Sequence, residues 1–414
     1  MRPVATAPLP HRAASAINLL PFSPVRSELT SALMIRRDIL ETFCCPVART
    51  PLRMMTAREL AELNTAIANG VAKYSGGEPL VGALESGLIT VDGSSAYGIR
   101  EGIPALLPTL RIVVRDEPSS SSADNLRASS YRTYDDSWEE ISRHWDMIGP
   151  PIRPSRQDTE TMERVVADGL ASRHGPPLRA LLLGVTPEIA TMRWPSGTSL
   201  LALDAVPGMI RNVWPAREAP HGVAALADWI IMPVRDAAYD VLVGDASLTT
   251  TPYPDGFLAV KAELRRVLKD EGMLAMREFA RPEQREPVDG IFRDLRAGRI
   301  ASFRLFMWRL AMALHEDLES GCRWGDVFDA WYANVPDPDG LMMSLGWPLE
   351  APRFLEVLRQ ARRPALFPTL SEMRAVLAPE FEQAEVHIPD YPDGDRYPTV
   401  VFKPKRRPSA STRA

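Results

Sequence analysis

A chain of 414 residues with 45% hydrophobic and 24% charged side chains has the composition of an ordinary globular protein, with room for about two or three domains. Its formal net charge of -5 gives no global attraction to nucleic acid or to an anionic membrane surface. No apolar run approaches the roughly 20 residues a membrane span requires, and three cysteines, Cys44, Cys45 and Cys322, cannot make a disulfide framework, so a reducing, cytoplasmic setting is expected.

In chain order, residues 1–33 are rich in Ala, Pro, Ser and Arg. Their single apolar island, 17–22, is short for a signal-peptide core, so a disordered leader is expected, with Met34 a candidate start. Residues 34–110 read as a small domain packed through Phe43, Leu52, Ile99, Ile103 and Leu106. Residues 111–125 hold Asp-Glu-Pro followed by four serines, a polar linker. Beyond it, Tyr134, Trp138 and Ile141 share one face of a helical pattern, then Trp145 and a proline-rich turn at 149–154 lead to a helix over 158–170.

The next hundred residues carry the strongest pattern. The apolar run 180–183 is too short for a buried helix and long enough for a buried strand; it ends at Gly184, and Pro187-Glu188 opens a short helix. A second run, 199–203, closes on Asp204, about 20 residues past Gly184, the spacing that sets a carboxylate beside a ribose bound over the first strand. Strand-like runs follow at 222–226, 239–244 and 273–276, with an amphipathic helix at 256–268 between the last two. This alternation predicts an α/β fold with a doubly wound, Rossmann-like sheet. Residues 281–364 interrupt it with helical patterns: 300–314 has a wide apolar face, and Trp324, Phe328, Trp331 and Tyr332 recur on one side of a second helix. Such stripes serve as core, as a lid over substrate, or as an interface in a homodimer. Residues 406–414 are a basic tail expected to be disordered.

The ordered set Leu183-Gly184, Leu203-Asp204, Ala227-Asp228-Trp229, Met232-Pro233 and the run 239–245 resembles the class I S-adenosylmethionine (SAM)-dependent methyltransferase family. So do Leu264-Arg-Arg-Val-Leu-Lys-Asp-Glu-Gly272, a turn before a fifth strand, and the segments 371–388 and 397–402, a closing helix and antiparallel hairpin. The likeness covers most of 126–405 and implies SAM as cofactor. Gly184 would let backbone approach the methionine end, with Thr186 and Glu188 offering polar groups to it. The family's three glycines are here reduced to one, and Leu182 stands where an acid is usual. Asp204 would accept hydrogen bonds from the ribose, Asp228 with Trp229 would flank adenine, and Asp245 would lie over the sulfonium and touch substrate. Tyr253 and His315 are further candidates for base work. Tyr131, Tyr134 and Trp145, ahead of the first strand, and Trp308 on the insert are the substrate-binding candidates.

Residues 35–52 together with 87–90 and 96–108 (Ala-Tyr-Gly-Ile-Arg-Glu-Gly-Ile-Pro-Ala-Leu-Leu-Pro) are similar to zinc-ribbon domains related to the activator subunit of tRNA and release-factor methyltransferases. Cys45 matches a first ligand, but Ala48 holds the second place and the other pair falls near Thr90 and Gly93, so no metal is expected. The function implied is methyl transfer to a small-molecule acceptor in secondary metabolism, with a partner subunit conceivable. The rival is a methyltransferase fold that binds or scaffolds without catalysing. A nicotinamide-dependent oxidoreductase would need the glycine fingerprint that is missing.

Overall fold

The computed structural model of the chain describes residues 35–114, 137–171 and 175–406. Two sheets organise them. The smaller is an antiparallel meander of β1 (Leu52–Met54), β2 (Ser86–Thr90), β3 (Ser95–Arg100) and β4 (Ile103–Pro104), with β5 (Ile112–Val113) also paired to β3. Thr56 and Glu59 close a capping box at the start of its one long helix, Ala57–Ala68.

The larger sheet contains β6 (Arg179–Leu183), β7 (Ser199–Asp204), β8 (Gly222–Leu226), β9 (Tyr239–Asp245), β10 (Leu268–Arg277), β11 (Phe381–His387) and β12 (Thr399–Pro404). Their order across the sheet is β8-β7-β6-β9-β10-β12-β11. The first five are parallel neighbours, and β12 runs antiparallel to both β10 and β11. The plain doubly wound order is thus kept for five strands and then altered by a hairpin whose last strand inserts beside the fifth. Near-continuous Leu, Val and Ala in β6, β7 and β9 follow from burial on both faces. The helix Asp255–Val267 lies one residue from its expected place and packs Phe257, Val260 and Leu264 into the core.

The insert folds as five helices, Val288–Arg296, Phe303–Leu314, Trp324–Asn334, Pro338–Leu345 and Arg353–Leu358. Its two aromatic stripes pack largely into one another. Trp331 is fully buried, its ring 5.1 Å from Phe303 and 5.3 Å from Phe306. Burying an aromatic side chain of that size stabilises by about 1.5–3 kcal/mol, so this stripe alone gives the insert a core of its own.

The small sheet shares its core with the large one: Phe43, Cys45, Leu52, Tyr97 and Leu106 belong to the same apolar cluster as Leu181, Leu201 and Phe257. It also covers the outer edge of β8, where the Leu106 N–H donates to the Leu226 carbonyl at 2.8 Å. Cys44 N–H donates to Pro233 O at 2.9 Å and Arg235 N–H to Thr42 O at 2.8 Å. The Arg49 guanidinium reaches Met232 O at 2.6 Å and Glu263 at 3.1 Å. An otherwise open sheet edge is thereby closed. Cys45 Sγ accepts the Ala48 N–H at 3.3 Å and stands 3.1 Å from Tyr97 Oη, so apolar packing and these bonds occupy the turn. Among the described residues no His, Cys, Asp and Glu cluster could hold a metal, and no helix is long and apolar enough to cross a membrane.

Candidate functional site

Strand order reverses between β6 and β9, and ligands of doubly wound sheets bind beyond the carboxyl ends of strands at such a point. Gly184, directly after β6, has φ +91°, a conformation in which a side chain is strained. A Cβ placed there would lie 3.8 Å from Trp229 Cζ2 and 4.0 Å from Asp204 Oδ2, so the glycine keeps a narrow space between ring and carboxyl open. Asp204 ends β7; its Oδ1 accepts the Val206 N–H at 2.8 Å, and burial pushes its carboxyl up to about 7. Trp229 follows β8 and is held by an Nε1–H bond to Leu203 O at 2.7 Å.

Asp245 ends β9. Its Oδ1 accepts Arg277 Nη1 at 2.6 Å, yet burial outweighs that guanidinium and raises the carboxyl to about 6. Arg277, the last residue of β10, is 1% exposed. It also lies 3.5 Å from Asp158 and donates to Pro151 O, with the rings of Phe279 and Tyr397 at 5.6 and 5.5 Å. Asp158 accepts the Ser155 N–H at 2.7 Å and the Tyr391 hydroxyl at 3.1 Å. The next residue, Glu278, is fully buried, and burial drives it up to about 8 while it accepts the Leu248 N–H at 3.3 Å. Arg277 and Glu278 therefore fix the backbone on either side of Ala246, itself at φ +52°.

These strand ends open into a cavity of about 1330 Å³, counting its mouth. Gly184, Thr186, Asp204, Trp229 and Asp245 form its floor. Trp138, Ile141 and Trp145 form one wall, Phe279 another, and Trp308, Trp324 and Phe354 of the insert the roof. Arg153 stands at the margin, its guanidinium 5.3 Å from the Trp145 ring centroid and 2.8 Å from Glu188 Oε1.

Several residues singled out in the sequence lie elsewhere. Glu188 is not in the lining, because it faces Arg153 across an ion pair. Asp228 caps the turn Trp229–Ile231 by accepting the Ile230 N–H at 3.2 Å. Tyr253 packs edge-on against Phe257 at 5.4 Å, away from the cavity. His315 is enclosed next to Phe367, where burial lowers it to about 4, leaving a neutral ring that does not reach the cavity. Tyr131 and Tyr134 lie outside the described residues. Conversely, Arg277, Glu278 and Phe279 are not among the residues singled out in the sequence, and Trp324 is there only as part of an aromatic stripe. The signal for the first two was present: a charged pair directly after the apolar run 273–276.

Five parallel strands in this order, an antiparallel hairpin inserted beside the fifth, and carboxylates at the ends of the second and fourth are now in view. The chain has the class I methyltransferase fold. Solved structures that align with the chain do so at low identity. N-methyltransferase NodS from Bradyrhizobium japonicum, in complex with S-adenosyl-L-homocysteine, is 10% identical, covers 66% of this chain and 100% of its own, and has a TM-score of 0.37. For the 1,6-didemethyltoxoflavin-N1-methyltransferase of Burkholderia thailandensis the figures are 11%, 77%, 98% and 0.37. A Rhodobacter sphaeroides chain provisionally described as a Zn-dependent alcohol dehydrogenase gives 14%, 66%, 99% and 0.44. No family model and no curated protein matches the chain. Strand order and hairpin, not these alignments, fix the methyltransferase fold.

Proposed function

We propose that the protein is a SAM-dependent methyltransferase acting on a small, partly apolar acceptor. The observation that carries this reading is the meeting of Gly184, Asp204, Trp229 and Asp245 around one cavity at the switch point, under an aromatic roof. The residues present fit the cofactor. The space kept open at Gly184 would take its methionine end, the buried Asp204 carboxylate would accept the ribose hydroxyls, and Trp229 would flank the adenine. Bound there, SAM supplies an electrophilic methyl group; the chain's part is to orient it, exclude water and aim an acceptor. Trp138, Trp145, Trp308, Trp324 and Phe354 would hold the acceptor and keep water out, which makes the insert a lid, and the net charge of -5 argues against RNA. The domain boundaries read from the sequence, with a metal-free ribbon at 34–110, belong to the same proposal. All three cysteines are buried free thiols, in keeping with a cytoplasmic setting.

Calorimetric titration of SAM into the protein and into Asp204→Ala tests the reading. Micromolar binding weakened about tenfold or more by the substitution is expected, the value of one good hydrogen bond to a charged group. Absence of binding by SAM and by S-adenosylhomocysteine would refute it. That outcome would favour a non-catalytic scaffold, a reading motivated by Thr186 and Glu188 standing where the family has its second and third glycines, together with the lost zinc ligands.

A further inference from the structure

We infer that the methyl acceptor is an amine nitrogen, and that the Asp245 carboxylate receives the positive charge that transfer moves from sulfur to nitrogen. This rests on the methyltransferase reading and names its acceptor class. The first support is charge balance. One buried guanidinium, Arg277, lies between two buried carboxylates, Asp245 and Asp158. Asp158 has further donors in the Ser155 N–H and the Tyr391 hydroxyl, whereas among the described residues Asp245 has Arg277 alone. The other acids near Asp245 are Glu188, paired with Arg153, and Glu278, which accepts backbone N–H groups. Within this triad the surplus negative charge therefore sits on Asp245, which lines the cavity along with Asp204, Arg153 and Arg363.

The walls beside it suit a cation as well. Phe279 meets Trp308 edge-on at 5.7 Å and Trp308 lies 4.7 Å from Trp324, all three lining the same space. Aromatic faces attract onium groups once water is excluded. The third support is the lack of a strong base. Among the described lining residues there is no His, Lys, Tyr or Cys. An alcohol would have to surrender its proton during attack, and among the described lining residues only carboxylates stand by to take it, Asp245 being bonded to Arg277. An amine reacts as its neutral form, the ammonium having first released a proton to water. Its lone pair forms the N–C bond, the C–S bond breaks, and that electron pair stays on sulfur as a neutral thioether. The nitrogen becomes an ammonium beside Asp245 and afterwards releases its proton to water.

The test offers tryptamine, tryptophol and indole-3-acetate, and the same three groups on benzyl and naphthyl rings, with methyl-labelled SAM. Label is expected on amines only, and Asp245→Asn is expected to lower kcat for the amine about tenfold or more while the affinity for S-adenosylhomocysteine, which lacks the sulfonium charge, stays within about twofold. Asp245→Asn should fold, because Asp158 and Pro151 O still face Arg277; Asp245→Glu, which keeps the charge, should retain most of the activity. Label on alcohols or carboxylates, label on no amine, or an unaffected Asp245→Asn, each with both nucleosides binding, would overturn the inference. Failure of both nucleosides to bind would remove the methyltransferase reading itself, and the inference with it.

Discussion

Replacing Arg277 with Met is the sharpest probe of what holds the cavity floor. The guanidinium is 1% exposed, bonds Asp245 at 2.6 Å, lies 3.5 Å from Asp158 and donates to Pro151 O. Met keeps much of the volume and leaves two carboxylates buried without their cation. Removing one partner of a buried pair costs about 3–5 kcal/mol, most of it the penalty of the charge left behind. The loss should depend on pH in a defined direction. Asp245 is already raised to about 6 with Arg277 in place, so without it the folded-state carboxyl rises further. A group raised in the folded state contributes stability below its unfolded value and loses it as pH rises through the folded one. The deficit of Arg277→Met relative to the parent should therefore be largest at pH 8 and shrink towards pH 5. Urea unfolding at both values, followed by tryptophan fluorescence and circular dichroism with coincident transitions, measures it. Adding Asp245→Asn to the variant should recover part of the loss at pH 8. A deficit under about 1 kcal/mol, or one that grows as pH falls, would refute the assignment of Arg277 as the charge that holds these acids in place.

Two further predictions concern the cofactor side. Because burial pushes Asp204 up to about 7 and ribose hydroxyls favour its ionised form, SAM affinity should rise with pH through that value. It should be about tenfold weaker at pH 6 than at pH 8, with Asp204→Asn flattening the profile; a flat profile in the parent protein would contradict the ribose role. Gly184→Ala places a side chain at φ +91° and a methyl in the space beside Trp229 and Asp204. A stability loss of about 1–2 kcal/mol in thermal unfolding is expected, together with at least about tenfold weaker SAM binding by calorimetry; unchanged affinity would show that the cofactor does not approach this backbone.

The parallel strands were legible because burial on both faces leaves unbroken apolar runs, and three strand ends were legible because a glycine or an aspartate stops the run. That logic reached Gly184, Asp204 and Asp245 as residues that line the cavity. It could not reach Arg277's role, since Asp158 and Asp245 are distant in sequence and only packing brings them to one guanidinium. Asp228 shows the reverse limit: an acid at the expected spacing is bound up in capping the next turn. Tyr253 and His315 fell outside because an aromatic ring among apolar neighbours reads the same whether it faces a cavity or a core. The insert's stripes marked helices correctly, yet periodicity could not say that Trp308 and Trp324 face the cavity while Trp331 fills the helical core behind them.

The edge closure of β8 has a consequence for biosynthesis. Leu106 meets Leu226 and Phe43 meets Val234, so the segment that makes the small sheet leaves the ribosome ahead of partners made roughly 120 to 190 residues later. At about 5–20 residues per second, that is an interval of about 6–40 s in which the apolar side of the small sheet is uncovered. The chain therefore emerges in an order that postpones its own closure until β8 and Val234 have been made.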